Sequence, residues 1–271
     1  MGQLRVVVVR CPPASAELCA DHLMLIGAAA IEERVLDRVC ELRTTIDNDL
    51  KEIRDLMQGV DASAVVEEVF VERAVLDAWK QHAQPTVIDE TLTIVPAWLS
   101  AVDVSSEEQI FIDPEESFGI GDHPTTRLCA AWLHRQNLRE LSILDAGCGS
   151  GVLSIIAARN GAFVTAVDIA ENAITTTLHN AALNHTRLAA VHGWSDLAGE
   201  SKFELIVANI LAPVLIDLAP LFISHLNTRG RIALAGLRTE QVNRVLSAYP
   251  GFKCMEQSEI EGWELLILQR D

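Results

Sequence analysis

The chain has 271 residues, a formal charge of −17 and an isoelectric point near 4.8. That balance argues against a nucleic-acid surface, because holding phosphates takes clustered Lys and Arg, whereas it suits a basic protein partner. The length predicts one large or two modest domains, and the six scattered cysteines (Cys11, Cys19, Cys40, Cys129, Cys148, Cys254) carry no C-x-x-C and no regular His spacing. They predict small buried side chains in a reducing compartment, with neither a disulfide frame nor a metal site.

From the start, Arg5–Arg10 predicts a strand, Ser15–Gly27 a helix, Ala28–Val35 and Val39–Ile46 two more strands, Asp49–Gly59 a helix, and Ala64–Val71 a closing strand. This βαββαβ order is the ferredoxin-like arrangement and is placed at residues 1–70. Residues 71–90 are expected to connect, through a helix stopped by Pro85. In it, Trp79 and His82 stand at a spacing usual for packing residues. The remainder, 91–271, opens with short strands near Leu92–Val95 and Gln109–Ile112. The apolar run Val6–Val9 is cut by Arg10 and Pro12 and is too short for a signal peptide. Leu205–Ile223 nearly has the length to span a bilayer, but Asn209, Pro213, Asp217 and Pro220 interrupt it, so it is expected to be a buried strand running into a helix. A soluble, cytoplasmic protein is expected.

The chemistry concentrates in the second part. Asp113–Leu133 contains glycines, then His123, Pro124, Thr125 and Thr126, with Pro124 at the first position of a helix. The threonine hydroxyls and free amides of that turn are expected to face a ligand. Next, Leu144–Gly151 reads L-D-A-G-C-G-S-G between an apolar run and an amphipathic helix, the opening βα unit of a nucleotide-binding sheet. Gly147, Gly149 and Gly151 are expected at positive φ. A dinucleotide fingerprint would put its third glycine at Val152 rather than Gly151. About twenty residues on, a second strand ends at Asp168, where a carboxylate accepts both ribose hydroxyls of an adenosine. Asp168 is also expected to cap the following helix. A fourth strand ends at Asn209, whose amide oxygen suits an amine. Gly230–Leu237, a helix to Tyr249, and a terminal antiparallel pair complete a seven-stranded mixed sheet with helices on both faces.

The D-x-G-x-G-x-G spacing resembles the first motif of class I S-adenosylmethionine-dependent methyltransferases. More closely, the chain resembles the ribosomal protein L11 methyltransferase family. The family's F-G-T-G-x-H-P-T-T is matched at Phe118–Thr126, D-x-G-C-G-S-G at Asp145–Gly151, V-D-I at Val167–Ile169 and A-N-I-L at Ala208–Leu211. Further likeness lies in W-E-L-L-I-L-Q-R at the end, L-T-I-V-P-A-W at Leu92–Trp98 and, more weakly, G-A-A-A-I-E-E near the start. The resemblance implies an α/β class I methyltransferase sheet behind a small ferredoxin-like α+β domain that holds the substrate protein. It also implies S-adenosylmethionine as cofactor and transfer of methyl groups to amino groups of ribosomal protein L11, by a protein expected to be a monomer.

The candidate cofactor contacts are His123, Thr125, Thr126, Asp145, Gly147, Gly149, Asp168 and Asn209. The candidates around the reacting amine are Asn209, Leu211 and Phe118. One position departs from the pattern: Ile120 stands where the family has Thr, which removes a hydroxyl. Two alternatives stay open beside this expectation, a different protein-lysine target and a catalytically silent cofactor-binding module. Asn209-Ile210-Leu211-Ala212, lacking N-P-P-aromatic, argues against base or glutamine targets.

Overall fold

The computed structural model describes residues 3–28, 31–72, 80, 83–99, 108–114, 121–197 and 201–270. The chain divides into two compact units, Met1–Ala83 and Gln84–Asp271. Trp79, His82, Phe118 and Ile120 lie outside the described residues, as does most of the expected connecting helix.

The first unit contains β1 (Gln3–Cys11), α1 (Pro13–Leu25), β2 (Glu32–Leu36), β3 (Val39–Thr44), α2 (Leu50–Val60) and β4 (Val65–Glu72). Its strands form an antiparallel sheet in the order β2-β3-β1-β4. Alternation along the strands sends Val7, Val9, Leu42 and Val66 into one core with Leu23 of α1 and Ile53 and Met57 of α2, the last two one helical turn apart. Asp49 caps α2 by accepting the Lys51 backbone N–H at 2.8 Å. Gly59, expected to end this helix, lies inside it; the helix runs on to Val60 and closes at Asp61.

The second unit begins with β5 (Thr86–Val87), β6 (Leu92–Pro96) and β7 (Glu108–Ile112), a small sheet in which β7 is an edge. Then follow α3 (Pro124–Arg135), β8 (Ser142–Ala146), α4 (Val152–Arg159), β9 (Phe163–Asp168), α5 (Glu171–Leu183), β10 (Ala189–His192) and β11 (Phe203–Asn209). The chain ends with α6 (Ala212–Asp217), α7 (Ala219–His225), β12 (Leu226–Arg238), α8 (Val242–Ser247), β13 (Phe252–Ile260) and β14 (Trp263–Arg270). The segment with near-bilayer length is thus a strand and two short helices, each with a proline in its first turn. No described helix is long and apolar enough to cross a membrane.

Seven strands form one mixed sheet, β10-β9-β8-β11-β12-β14-β13, parallel except for β14, which runs antiparallel between β12 and β13. Both faces are covered, and the strands read accordingly as apolar runs. Ile143, Leu205 and Val207 pack with α3 and α4 on one face, whereas Leu144, Ile206 and Ala208 pack with α6, α7 and α8 on the other. From β8 the chain moves outward to β9 and β10, then returns across β8 to β11. That reversal leaves a crevice at the carboxyl ends of β8 and β11, where ligands bind in open α/β sheets. Five of the six cysteines are buried and all six are free thiols; Cys254, on edge strand β13, is exposed, against expectation.

Candidate functional site

The crevice is lined by three adjacent strand ends. Ala208 of β11 pairs with Ala146 of β8, and Ala146 pairs with Val167 of β9. One residue further along each strand stand Asn209, Gly147 and Asp168, which therefore meet at one sheet edge. The glycine turn between β8 and α4 holds Gly147, Gly149 and Gly151 at φ +79°, +53° and +80°, a region that L side chains rarely adopt. Gly147 and Cys148 both donate their backbone N–H to the Val167 carbonyl, at 2.8 and 3.1 Å, tying the turn to β9. A Cβ on Gly151 would stand 2.9 Å from the Thr177 side chain and 3.0 Å from its Cα. The Cys148 thiol packs in the turn beside the Thr177 hydroxyl, and burial pushes its pKa up. It is a packed thiol, not a reactive one.

Asp168 is placed as expected and bonded differently. Its Oδ2 accepts the Gly149 N–H at 3.0 Å and its Oδ1 accepts the Ala170 N–H at 2.9 Å. The cap position of α5 is Ala170, with no side-chain cap. Asp168 therefore makes a local turn rather than the expected helix cap, because the strand ends two residues before the cap position. Each of its oxygens retains a second lone pair for a hydroxyl. Asp145, by contrast, is fully buried within the sheet. Its Oδ2 accepts the Ser154 hydroxyl at 2.6 Å, and burial, with a contribution from the Asp168 charge, pushes its carboxyl up to about 6 against the Ser154 hydrogen bonds. It anchors α4 beneath the glycine turn.

The other side of the crevice is the N-terminus of α3. His123 is its cap residue: Nδ1 accepts the Thr125 backbone N–H at 3.3 Å and lies 2.7 Å from the Thr125 hydroxyl. An accepting Nδ1 puts the proton of a neutral ring on Nε2. Burial holds the His123 pKa below its usual value, with Arg238 acting the same way and Asp122 opposing. The ring stands edge-on to Trp263, with centroids 4.9 Å apart. The Arg238 guanidinium lies 3.9 Å from the same indole centroid. Thr126 is buried, and its Oγ1 accepts from Asn209 Nδ2 at 3.2 Å. With its amine side given to Thr126, Asn209 keeps Oδ1 as an acceptor. Leu211, half-buried, is the cap residue of α6.

Sequence reasoning brought His123, Thr125, Thr126, Gly147, Gly149, Asp168, Asn209 and Leu211 to this edge of the sheet. It missed Trp263 and Arg238 as site residues: they arrive from the other end of the chain, and although Trp263 opens the terminal W-E-L-L-I-L-Q-R, nothing in that run points to the crevice. It also missed Gly236, at φ +85° beside a register shift in β12, where a Cβ would stand 2.4 Å from the Ile210 carbonyl oxygen. A glycine inside a strand is the signal that could have found it. Least visible in advance are Thr177 and Asn180 on α5 and Asn184 at its C-terminal cap, three buried polar side chains on one face.

The family model described as "Ribosomal protein L11 methyltransferase (PrmA)" matches residues 26–271. A relative of that name from Methylobacillus flagellatus is 34% identical over 285 residues, covering 94% of this chain and 95% of the relative. Another, from Polynucleobacter necessarius, is 35% identical over 214 residues, covering 77% of this chain and 65% of the relative's length. Among solved structures, a ribosomal protein L11 methylase from Lactobacillus delbrueckii subsp. bulgaricus is similar with a TM-score of 0.64 at 33% identity, over 70% of this chain and all of that one. The match over residues 26–271, on a sheet whose strand ends carry the family's motif residues, makes this chain a member of the ribosomal protein L11 methyltransferase family.

Proposed function

We propose that the protein transfers methyl groups from S-adenosylmethionine to amino groups, lysine side chains or an α-amine, of ribosomal protein L11, in a cytoplasmic setting, with residues 1–70 engaging the substrate protein. The observation that carries the reading is the Asn209–Thr126 bond, which closes the crevice beside Gly147 and Asp168. The residues there suit the cofactor. The glycine turn keeps its backbone bare, Asp168 holds one spare lone pair on each oxygen, and the Ser150 hydroxyl in the turn is buried with no hydrogen-bond partner.

When bound, S-adenosylmethionine supplies a methyl group on a sulfonium that is already a good leaving group. The protein's work is therefore positional. Asp168 accepts from ribose hydroxyls, as an acid at the end of the second strand does, while Asp145 and Gly149 hold the turn in shape. The His123 cap and the Thr125 and Thr126 hydroxyls present the start of α3 to the cofactor's polar end. Asn209 Oδ1 accepts an N–H of the incoming amine and so aims its lone pair. The difficult partner is that amine: with an ordinary lysine pKa of about 10.4, only on the order of one in a few thousand is neutral at pH 7. Half-buried Leu211 at the start of α6 gives the amine an apolar neighbour, and burial disfavours the ammonium form.

The test is incubation of the purified protein with labelled S-adenosylmethionine and L11, read by intact mass. Gain of mass in methyl steps on L11 is expected, and Asn209→Ala should lose about a hundredfold in turnover, the scale of a misplaced reactant. Label on another protein discards the substrate. Cofactor binding without transfer to any ribosomal protein discards the enzyme and favours the silent module, for which Ile120→Thr is the repair.

A further inference from the structure

Helix α5 carries a buried polar stripe that the proposed chemistry does not use. Thr177 and Asn180 are completely buried and Asn184 is nearly so. A buried amide or hydroxyl left without partners loses its hydration with nothing in return, so each must find hydrogen bonds. All three find them on the backbone. Thr177 donates to the Gly149 carbonyl at 3.1 Å. Asn180 Nδ2 donates to the carbonyls of Ser150 (2.9 Å) and Asp113 (2.8 Å), while its Oδ1 accepts the Asp113 N–H at 2.9 Å. Asn184 accepts the Phe111 N–H at 2.8 Å and donates to the Phe111 carbonyl at 2.6 Å and to the Asn180 carbonyl at 2.8 Å.

The spacing explains why helix and strand fit. Residues four apart on a helix are separated by a rise of about 6 Å, and residues two apart on a strand by about 6.6 Å. Asn180 and Asn184 can therefore serve Asp113 and Phe111, whose N–H and C=O groups point the same way along the free edge of β7. Two asparagine amides replace the missing neighbour strand. Only Asn180 goes further, since its second N–H reaches the glycine turn at Ser150.

We infer that Asn180 is a positioning residue for cofactor binding, because its buried amide bridges the Ser150 carbonyl of the glycine turn to both backbone groups of Asp113, just beyond the end of β7. The inference rests on reading the turn as the S-adenosylmethionine site. Asn180 touches no reacting atom. It holds the glycine turn at a fixed distance from the end of β7, and Asn184 provides the same docking of β7 without the contact to the turn.

The two asparagines therefore make a matched pair for a test. Asn180→Asp keeps size and the acceptor for the Asp113 N–H but turns an oxygen toward two carbonyls; Asn184→Asp does the same at Phe111. The probe is S-adenosylhomocysteine, with Kd by calorimetry and with kcat and KM for S-adenosylmethionine, measured well below each variant's Tm. Both variants are expected to lose thermal stability. Asn180→Asp should raise Kd and KM about tenfold or more, with kcat falling less, whereas Asn184→Asp should change Kd by less than about threefold. Thr177→Val, close in shape and lacking the hydroxyl that reaches the Gly149 carbonyl and the Cys148 thiol of the turn, should weaken binding about threefold and serves if Asn180→Asp does not fold. Wild-type affinity in folded Asn180→Asp or Thr177→Val would reduce the stripe to packing and overturn the inference while leaving the cofactor reading intact. A wild-type protein that does not bind S-adenosylhomocysteine would overturn both.

Discussion

The sheet of the first unit and the seam between α5 and the glycine turn both gather polar side chains, and they use them in opposite ways. On the sheet, Arg10 reaches Glu41 at 2.9 Å and Glu67 at 2.6 Å across three strands, and Arg43 reaches Glu41 at 3.2 Å. Arg10 and Glu67 are each about two-fifths exposed. Their partners are side chains, and at Arg10 and Glu67 water can replace them, while Glu41 is buried between its two arginines. In the seam, Thr177, Asn180 and Asn184 are themselves buried and bond mainly to backbone groups, Thr177 reaching the Cys148 thiol as well. Exposed ion pairs contribute about 0–1 kcal/mol, whereas a buried donor whose partner is lost forfeits its desolvation as well. The first network tolerates exchange; the second fixes backbone geometry at the site where geometry is what the chemistry requires.

The sharpest break of this comparison is a pair of glycines at positive φ. At Gly27, in the first unit at φ +105°, a Cβ would meet nothing within 4 Å, whereas at Gly151, at φ +80°, it would collide with Thr177. Gly27→Ala should cost only the backbone preference, about 1–2 kcal/mol. Gly151→Ala should cost more, and it should also move the turn against α5, raising the Kd for S-adenosylhomocysteine by more than about tenfold. Thermal unfolding and calorimetry on the two variants decide it. Equal losses of stability with equal affinities would mean that the seam carries no special constraint.

The outlines of both units are legible in the sequence because they follow from local signals. Val7 and Val9 alternate toward the core, Asp49 and Pro124 mark helix starts, and Gly147–Gly151 can only be a turn. Asp168 and Asn209 stand out because a strand end is visible from its neighbours. The side-chain bonds are not. That both Asp168 oxygens accept backbone N–H groups depends on how β9 meets the turn, and Asn180 reads simply as one polar residue in a helix rich in Thr and Asn. Its bond to Asp113 spans 67 positions. Trp263 reaches His123 from the far end of the chain. Such contacts belong to the sheet order, which no local pattern encodes.

Asp145 sharpens the comparison on the ionisable side. Burial raises its carboxyl to about 6, against about 3.9 in an unfolded chain. Between those values the folded protein binds more protons than the unfolded one, so this group's contribution to stability falls as pH rises from about 4 to about 6, and the penalty is complete above that. Two pKa units correspond to on the order of 3 kcal/mol. Asp145→Asn keeps an acceptor for the Ser154 hydroxyl and removes the charge. Relative to wild type, its Tm should therefore improve from about pH 5 to about pH 8. A difference that does not change with pH would place the ionised carboxylate at no cost, contrary to its burial.

The smallest effect is expected where the charges are most conspicuous. Burial works to raise the Glu41 pKa, yet hydrogen bonds from Arg43 and Arg10 bring it below its ordinary value. The stabilisation from that pairing is thus present at neutral pH and lost as pH falls through the carboxylate range. Arg10→Ala leaves Arg43 on Glu41 and frees Glu67, which is exposed enough to be hydrated. The loss should be under about 1 kcal/mol at neutral pH, smaller still in high salt because exposed pairs are screened, with the Kd for S-adenosylhomocysteine unchanged. A large, salt-insensitive drop in Tm would mean that the ladder on the first sheet holds its geometry as firmly as the asparagine seam does, and the contrast between exchangeable and fixed polar networks would fail at its weaker end.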